Sequence, residues 1–411
     1  MNLSRSHPTA PSTERAAWLA WSRVPDVGPV LLQRLQRAFG SLAAAWQAAP
    51  GDLTPIEGIG PQRLAKILAG RSAIDPEQLL ADWTQKNPQF WTPADPDYPQ
   101  LLRELPDFPA LLYYRGQPHP AELQGTQPLV AIVGTRQPSD YGQRWTNRLT
   151  TCLTKAGFGI VSGLAEGVDA ESHRACLAAG GRTIAVLGTG VDRVYPTGNR
   201  DLYGRIVGTF DYPGSGFALS EYPSGTGPDR AHFPRRNRIV AGLARATIVI
   251  EGGERSGALI TANQAADYGR DVYVLPGSLD MPLSAGCLKL INSGAQVILS
   301  ENHLLDCLGA LPQLDRAESA TVIETARSPV PGPAAPGPTP TAKPAVAPTP
   351  PPPNLAPAPA AVLRAIDPTP TALDAIVAAS GLSPGNVMAA LTELELLGLV
   401  ENLPGMRYRR A

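Results

Sequence analysis

The sequence predicts an α/β fold with a doubly wound, mainly parallel sheet, because apolar runs alternate with helix-length segments between Leu129 and Leu299. Each run is continuously apolar, as in strands that are covered on both faces. Each also ends in a glycine-rich or polar turn, and such sheets bind ligands outside the carboxyl ends of their strands. The runs are PLVAIVGTR, GIVSGLAEGVDA, RTIAVLGTGVD, FALSEYP, ATIVIEGGERSGA and VYVLPGS. A ligand site is therefore expected at that edge.

The overall composition of the chain names no partner. The 411 residues have a formal net charge of −1, so a nucleic-acid function requires a local basic patch. The four cysteines are far apart and form no CxxC pair, which favours buried thiols over disulfides or a metal site. The sequence has no signal-like amino terminus and no apolar run of membrane-spanning length. We therefore expect a cytoplasmic protein without a metal or cofactor.

Composition divides the chain into six segments. They are a loose amino terminus (1–12), a helical module (13–70), a connecting segment (71–119), the sheet domain (120–310), a proline- and alanine-rich linker (311–360) and a folded tail (361–411). The connecting segment predicts one helix over 76–87 and one strand over 110–115. The linker is too poor in large apolar residues to bury a core, and its composition is typical of a semi-stiff spacer.

The helical module holds two similar segments, VPDVGPVLLQRL and IEGIGPQRLAKIL. Both resemble helix-hairpin-helix motifs, in which a glycine turn opens a helix whose free amides can bind a phosphate. Gly58 and Gly60 fit such a turn, and Arg63 and Lys66 supply cations beside it. A module used for packing or protein contact would have the same pattern, and both interpretations stay open.

The tail predicts a winged helix, because helical segments in it are followed by a short basic strand, GMRYRR. Ser383 is the expected N-cap of the recognition helix, with Pro384 at its first position. The tail holds four basic residues against five acidic ones, and Glu393 and Glu395 lie on that helix. These charges favour a solvated or protein-binding winged helix over one that reads a DNA groove.

The cofactor motifs of α/β sheets are incomplete here. The first strand ends in GTR, and the third ends in GTG with Arg193 where the dinucleotide fingerprint needs glycine. The P-loop pattern and metal-ligand spacings are absent from the sequence as well. His173 has carboxylates nearby but no nucleophile pattern, so we interpret it as a structural residue inside a helix that Asp169 caps.

Three turns at the predicted edge could bind phosphates through backbone amides and helix N-termini. The first contains Gly134 and Arg136, the second Ser162, Gly163 and Gly167, and the third Gly252, Gly253 and Gly257. Any one of these glycines is more simply explained by a tight strand-to-helix turn. Three turns on one edge, accompanied by arginines, favour an anion site.

The segment DRAHFPRRNRIVAGL supplies the local basic patch. Its polar part precedes an apolar helix predicted from Ile239, which places the patch at the ligand edge. Cations for phosphates and a ring for a base are what unspecific single-strand binding requires, whereas duplex DNA hides its base faces. The candidate residues in this segment are Arg230, His232, Phe233, Arg235, Arg236 and Arg238.

These runs, in this order, resemble the DNA-processing protein A (DprA, or Smf) family. The resemblance implies an extended Rossmann domain, a homodimer, sequence-independent binding of single-stranded DNA, and loading of the RecA recombinase during natural transformation. A single-strand-binding protein is a further candidate partner. The implied DNA contacts are Arg136, the Gly163 turn, Arg230, Phe233, Arg236, Asn237, Arg238, Arg255 and Ser256. Leu288 stands where the family usually has asparagine, and the neighbouring Lys289 is a candidate compensating contact.

A second class, the nucleoside-monophosphate hydrolases related to lysine decarboxylase-like proteins, uses a PGGxGTxxE turn to cleave a glycosidic bond. The matching segment here, IEGGERSGALIT, lacks the catalytic glutamate. Leu259, Ile260 and Thr261 stand at that distance instead. We therefore expect a binding protein rather than an enzyme.

Overall fold

The structure, a computed structural model, describes residues 12–87, 89–209, 214–309, 355–366, 371–397, 399–403 and 407–410. The chain divides into two compact units between Ser319 and Ala320. Most of the expected loose amino terminus and most of the expected linker lie outside the described residues. Within the described ranges, every helix is too short or too polar to traverse a lipid bilayer.

Helices make up the amino-terminal part of the first unit. They are α1 (Ser12–Trp21), α2 (Pro29–Phe39), α3 (Leu42–Gln47), α4 (Pro50–Leu53), α5 (Pro61–Ala73) and α6 (Pro76–Lys86). Both α2 and α5 begin with proline after a glycine N-cap, as the two hairpin segments predict. Trp18 and Trp21 of α1 are fully buried, and Trp21 packs edge-on against Trp46 at 5.1 Å. The hairpins are therefore closed around an aromatic core.

One sheet dominates the first unit. Its strands are β1 (Phe90–Trp91), β2 (Leu112–Gly116), β3 (Leu129–Val133), β4 (Gly159–Ser162), β5 (Thr183–Leu187), β6 (Gly216–Ser220), β7 (Ala246–Val249), β8 (Asp271–Val274) and β9 (Gln296–Val297). Their order is β1-β2-β6-β5-β4-β3-β7-β8-β9, with β3 to β9 parallel and β1 and β2 antiparallel. Strands β3 to β7 are buried throughout. The predicted doubly wound, mainly parallel sheet is confirmed.

Helices cover both faces of this sheet. They are α7 (Gln100–Arg103), α8 (Pro120–Leu123), α9 (Asp140–Lys155), α10 (Val168–Ala178), α11 (Arg200–Val207), α12 (His232–Leu243), α13 (Gly257–Asp267), α14 (Ala285–Asn292) and α15 (Glu301–Gly309). The main departure from expectation is α12, which begins at His232 and not at Ile239. Most of the arginine run is therefore helical, and helical geometry decides where each side chain points.

The order of the strands reverses at β3. The chain adds β4, β5 and β6 on one side of β3 and then crosses to place β7 and β8 on the other. Val130 of β3 is thus paired with Ile160 of β4 and with Ala246 of β7. Such a switch point leaves a crevice outside the carboxyl ends of the two strands, because their connections lead away in opposite directions.

The second unit has the elements of a winged helix, as predicted. They are α16 (Pro357–Arg364), β10 (Thr371–Ala372), α17 (Leu373–Ser380), α18 (Pro384–Leu396), β11 (Val400–Leu403) and β12 (Arg407–Arg410), with the strands in the antiparallel order β10-β12-β11. Val362, Ile376 and Leu394 are among the residues of its core. Ser383 stands at the N-cap of α18, but its side chain makes no capping hydrogen bond.

Candidate nucleic-acid interface

A cleft of about 810 Å³ opens at the switch point. Its walls come from the loops that follow β3, β4, β5 and β7 and from the helices α12 and α13. The lining residues are Val133, Gly134, Thr135, Arg136, Gly163, Ala165, Asp169, Tyr195, Arg230, Phe233, Pro234, Arg236, Asn237, Val240, Gly253, Arg255, Ser256, Gly257, Ala258, Ile260 and Thr261. The cleft lies at the sheet edge where the sequence places a ligand.

The charge of the cleft is predominantly positive. Its lining contains four arginines, at positions 136, 230, 236 and 255, against one carboxylate, that of Asp169. Arg136, Arg230 and Arg255 are exposed and form no ion pair with any other described residue. Because their charges are not neutralised within the protein, they are available to an anionic ligand.

Arg236 provides a fixed charge on the floor of the cleft. It is only 5% exposed and donates from Nη1 to the carbonyl oxygen of Gly163 at 2.6 Å and to that of Val186. Burial lowers the pKa of Arg236 to about 10, an effect that Asp169 opposes, so the guanidinium stays charged at neutral pH. Gly163 makes room for it, since a Cβ there would lie 2.6 Å from Nη2.

Helical spacing separates the arginines of α12. Phe233, Arg236, Asn237 and Val240 recur at intervals of three or four residues, and all four line the cleft. Arg238 lies outside the cleft, with a side chain 6% exposed that pairs with Glu221 at 2.5 Å and Asp107 at 3.5 Å. Arg238, which we expected at the ligand edge with the rest of the basic patch, therefore does not line the cleft that Arg136 and Arg236 share. Arg235 also lies outside the lining; it is 64% exposed and 3.7 Å from Glu221.

The backbone amides of the glycine turns are less available than expected. Asp169 accepts hydrogen bonds from the amides of Gly163 at 3.1 Å and Ala165 at 3.4 Å, and burial raises the pKa of its carboxyl. Thus Asp169 closes this loop, while Gly167 is the N-cap of α10.

Two other residues of these turns also point away from a ligand. The buried Ser162 donates to the carbonyl oxygen of Ile132 at 2.6 Å, and the amide of the buried Gly252 donates to Leu283 at 2.7 Å. Gly134 and Gly253 do line the cleft. At Gly134, a Cβ would lie 2.6 Å from Cγ2 of Val168, so packing alone requires glycine there.

An aromatic pair forms one wall of the cleft. Phe233 and Tyr195 have ring centroids 5.5 Å apart and an interplanar angle of 38°. Sequence reasoning missed Tyr195, although the GTGVDRVYP segment follows a strand of the same edge. His232, in contrast, stacks on Tyr222 at 3.9 Å and lies outside the lining.

The remaining candidates occupy the rim near α13. Asn237 donates to the carbonyl oxygen of Gly257 at 3.2 Å, and Ser256 caps α13 by accepting from the amide of Ala258. The exposed Lys289 of α14 lines an adjoining depression of about 310 Å³ together with Arg255 and Ser256. Leu288 beside it is half-buried. This depression therefore adds Lys289 to the cations beside the cleft, with Glu254 as the one carboxylate in its lining.

Histidine and carboxylate groups near the cleft have structural surroundings. His173 is fully buried with Nδ1 2.6 Å from Oγ1 of Thr183, and burial lowers its pKa to about 3. Glu251 accepts from the amide of Ser139 at 2.9 Å and from its hydroxyl, which holds the start of α9. Among the described residues, no group of three or more His, Cys, Asp or Glu side chains is placed to hold a metal ion.

The cations of the amino-terminal hairpins are already engaged. Lys66 pairs with Asp26, Arg34 pairs with Glu57 at 2.9 Å, and Arg63 donates to the carbonyl oxygen of Gly58. Asp26 and Gly58 both have positive φ, 64° and 94°, at equivalent turn positions. Gly60 is the N-cap of α5. The two motifs therefore repeat one geometry. Acids of the same module neutralise Lys66 and Arg34, whereas Arg63 is held by a backbone carbonyl oxygen.

Comparison with known proteins gives consistent relatives. Residues 89–309 match the family model "DNA recombination-mediator protein A", and residues 346–406 match the "DprA winged helix domain". Protein Smf of Synechocystis sp. is 49% identical over 97% of this chain and 99% of its own length. The DNA processing protein DprA of Bacillus subtilis is 41% identical over 56% of this chain and 74% of its own.

A solved structure agrees with these sequence matches. The crystal structure of DNA processing protein A from Streptococcus pneumoniae superposes with a TM-score of 0.60 at 35% identity, covering 72% of this chain and 97% of that one. The chain therefore belongs to the DNA recombination-mediator protein A family, and it has the DNA-processing, recombination-mediator role of that family.

Proposed function

We propose that the protein binds single-stranded DNA without regard to sequence and passes it to a recombinase of the RecA type. The observation that supports this most directly is the cleft at the switch point, where four arginines and two aromatic rings line one space. Arginines that follow a phosphate backbone and rings on which a base stacks are the two components of single-strand binding. Both tolerate any base, because every nucleotide has a phosphate and a π-face.

The position of the rings favours single strands over duplex DNA. Phe233 is half-buried in the wall of the cleft, and Tyr195 lies beside it. In a duplex the faces of the bases are covered by their stacked neighbours, so these rings would find no surface to contact. Phosphates of either form could reach the exposed Arg136, Arg230 and Arg255. We therefore expect the two rings to cause the preference for single-stranded over duplex DNA. The arginines should cause most of the salt dependence of the affinity.

The binding test is a titration of the wild-type chain with single-stranded and duplex oligonucleotides at several salt concentrations. We expect similar dissociation constants for thymine-rich, purine-rich and mixed single strands, and weaker binding to the matching duplex. The logarithm of the affinity should fall with the logarithm of the salt concentration by about 0.7 for each phosphate contact. Duplex binding as tight as single-strand binding, or affinities that depend strongly on base composition, would contradict the proposal.

The recombinase step needs its own assay. RecA is added to single-stranded DNA covered by single-strand-binding protein, and filament formation is followed with and without this protein. We expect the protein to shorten the lag, and a variant with Arg136→Ala and Arg255→Ala to lose this effect in parallel with its affinity. A homodimer, which would present two clefts to one strand, is tested by sedimentation. An unchanged lag with the wild type would leave DNA binding intact and remove the loading role.

A further inference from the structure

Phe233 is poorly placed to receive a base on its own. Its ring packs against the backbone at Gly188, where a Cβ would lie only 2.9 Å from Cδ1 of the ring. On another side lies Tyr195, with ring centroids separated by 5.5 Å. That separation is within the range of about 4.5–7 Å for aromatic pairs in direct contact, so no base fits between the two rings. Phe233 is a half-buried ring that supports its neighbour.

Tyr195 is the accessible member of the pair. It is 43% exposed, whereas Phe233 is half-buried. The loop that presents it is firmly held: Thr189 Oγ1 donates to the carbonyl oxygen of Arg193 at 2.5 Å, and Asn199 Nδ2 donates to that of Leu164 at 3.0 Å. The amide of Gly190 donates to Thr226 at 3.0 Å. The exposed ring is therefore presented by an ordered backbone.

Two arginines flank the same ring. A small recess of about 50 Å³ adjoins the aromatic pair, and its lining includes Tyr195, Phe233, Arg136 and Arg236, with Glu166 as the one carboxylate against the two guanidinium groups. A nucleotide whose base lies on Tyr195 would thus have cations close to its phosphate. A single nucleotide could therefore place its base on the ring and its phosphate near a guanidinium group, which is how proteins bind single strands.

We propose that Tyr195 is the stacking surface for one nucleobase of the bound strand and that Phe233 is the positioning residue that holds this ring from behind. The assignment rests on the proposed single-strand binding and refines it, because it gives the base contact to a residue outside the arginine helix. The base lies on the outer face of Tyr195, and the order of the stack is Phe233, Tyr195, base.

The test compares Tyr195→Leu, Phe233→Leu and the double variant in single-strand titrations. Stacking contributes about 1–3 kcal/mol per base, so Tyr195→Leu should raise the dissociation constant roughly 5- to 150-fold. The salt slope should stay unchanged, because stacking releases no counterions. The double variant should bind no more weakly than Tyr195→Leu alone, because the two rings act as one unit. Tyr195→Phe returns the ring and should recover the affinity that Tyr195→Leu loses.

A fluorescent base locates the contact. A short single strand with 2-aminopurine placed at successive positions should show stacking-dependent quenching at one position with the wild type, and this quenching should disappear with Tyr195→Leu. The matched control is Trp145→Leu, which removes a half-buried aromatic ring of α9 that lies outside the cleft lining. It should keep both the quenching and the affinity.

Two failures are distinguishable. If the wild type shows no salt-dependent single-strand binding, the proposed function is wrong and this assignment falls with it. If the wild type binds and Tyr195→Leu matches it while Phe233→Leu loses affinity, then Phe233 itself receives the base and only the present assignment is wrong. A loss of affinity that Tyr195→Phe does not recover would also overturn it, since the ring would then not be the cause.

Discussion

The cleft and the amino-terminal hairpins are built from the same local parts but differ in how their charges are balanced. Both combine glycine turns with arginine or lysine next to the start of a helix. In the hairpins, Lys66 faces Asp26 and Arg34 faces Glu57. In the cleft, Arg136, Arg230 and Arg255 have no such partner among the described residues. Similar turns can thus carry either paired or unpaired cations, and we expect the unpaired ones to mark the anion site.

Burial alone does not decide whether an arginine is neutralised, as two residues of α12 show. Arg236 loses most of its contact with water, but carbonyl oxygens rather than carboxylates receive its hydrogen bonds, so its charge is retained. Arg238, two residues further along α12, is equally buried but is paired with Glu221 and Asp107. The distinction between free and neutralised cations therefore also divides a single helix. It leads to four predictions, which follow in order of decreasing effect.

The largest effect is expected for Arg238→Ala, and it is an effect on stability. Removing Arg238 leaves the mostly buried carboxylate of Glu221 with the exposed Arg235, 3.7 Å away, as its remaining cationic partner, which should lower the free energy of unfolding by about 3 kcal/mol. Urea unfolding measures this, with Arg235→Ala as the control on the same helix. Single-strand affinity, measured where the variant is folded, should change less than with Arg136→Ala. A stable Arg238→Ala variant that no longer binds DNA would place Arg238 with the cleft residues.

Next is the triple variant Arg136→Ala, Arg230→Ala, Arg255→Ala. It should weaken single-strand binding roughly ten- to a hundredfold and flatten the salt slope by about 2, because three phosphate contacts each contribute about 0.7. The control removes three exposed arginines elsewhere, with Arg37→Ala, Arg144→Ala and Arg235→Ala, and so changes the net charge equally. If both triple variants lose the same affinity, total charge rather than the cleft determines binding.

A smaller effect concerns pH and His173, which lies beneath the cleft. Burial lowers the pKa of His173 from 6.5 to about 3, so between these values the unfolded chain binds a proton that the folded chain does not. Stability should therefore fall as the pH drops below about 6.5, by at most about 1.4 kcal/mol per pH unit. His173→Gln should reduce this pH dependence in urea unfolding, whereas His303→Gln should not. Identical profiles for wild type and His173→Gln would show that folding does not lower the pKa of the imidazole.

The smallest effect tests the hairpins directly. Asp26→Asn with Glu57→Gln frees Lys66 and Arg34, and asparagine tolerates the positive φ of position 26. If pairing is what makes this module inert, the double variant should bind single strands a few-fold more tightly, with a salt slope steeper by at most about 1.4 for two added contacts. Asp82→Asn, in the exposed part of α6, is the control. An unchanged slope would mean that the geometry of the hairpins excludes the backbone even when their cations are free.

Sequence reasoning predicted the sheet well because its strands are continuous apolar runs that end in glycine. Strands such as β3 and β5 follow those runs closely, and their parallel order places the cleft where glycine and arginine residues gather. The two-residue strands β1 and β9 carry too few residues for any period to be visible. The strand predicted over 110–115 is present as β2 (Leu112–Gly116).

Most of the errors in predicting the site residues arise because α12 begins earlier than expected, which decides the direction of each of its side chains. Pro234 lies in the first turn of a helix, where proline is tolerated, so the polar segment starts the helix instead of preceding it. Once these residues are helical, Arg236 lines the cleft while Arg235 and Arg238 both approach Glu221 outside it, and no count of arginines along the chain reveals this. The capture of the Gly163 amide by Asp169 is likewise a matter of side-chain orientation. Tyr195 could have been proposed from its place after a strand of the same edge.

The insertion of β7 beside β3 has a consequence for synthesis of the chain. The partners Val130 and Ala246 are separated by more than a hundred positions, and the wall that contains Arg255 follows β7. A nascent chain that has been synthesised only as far as β6 contains Arg136. It lacks α12, which carries Arg236, and the wall of the cleft that contains Arg255. Ribosome-bound or truncated fragments of this length therefore cannot assemble the cleft, so the proposed capture of DNA requires that translation has passed the last of its walls.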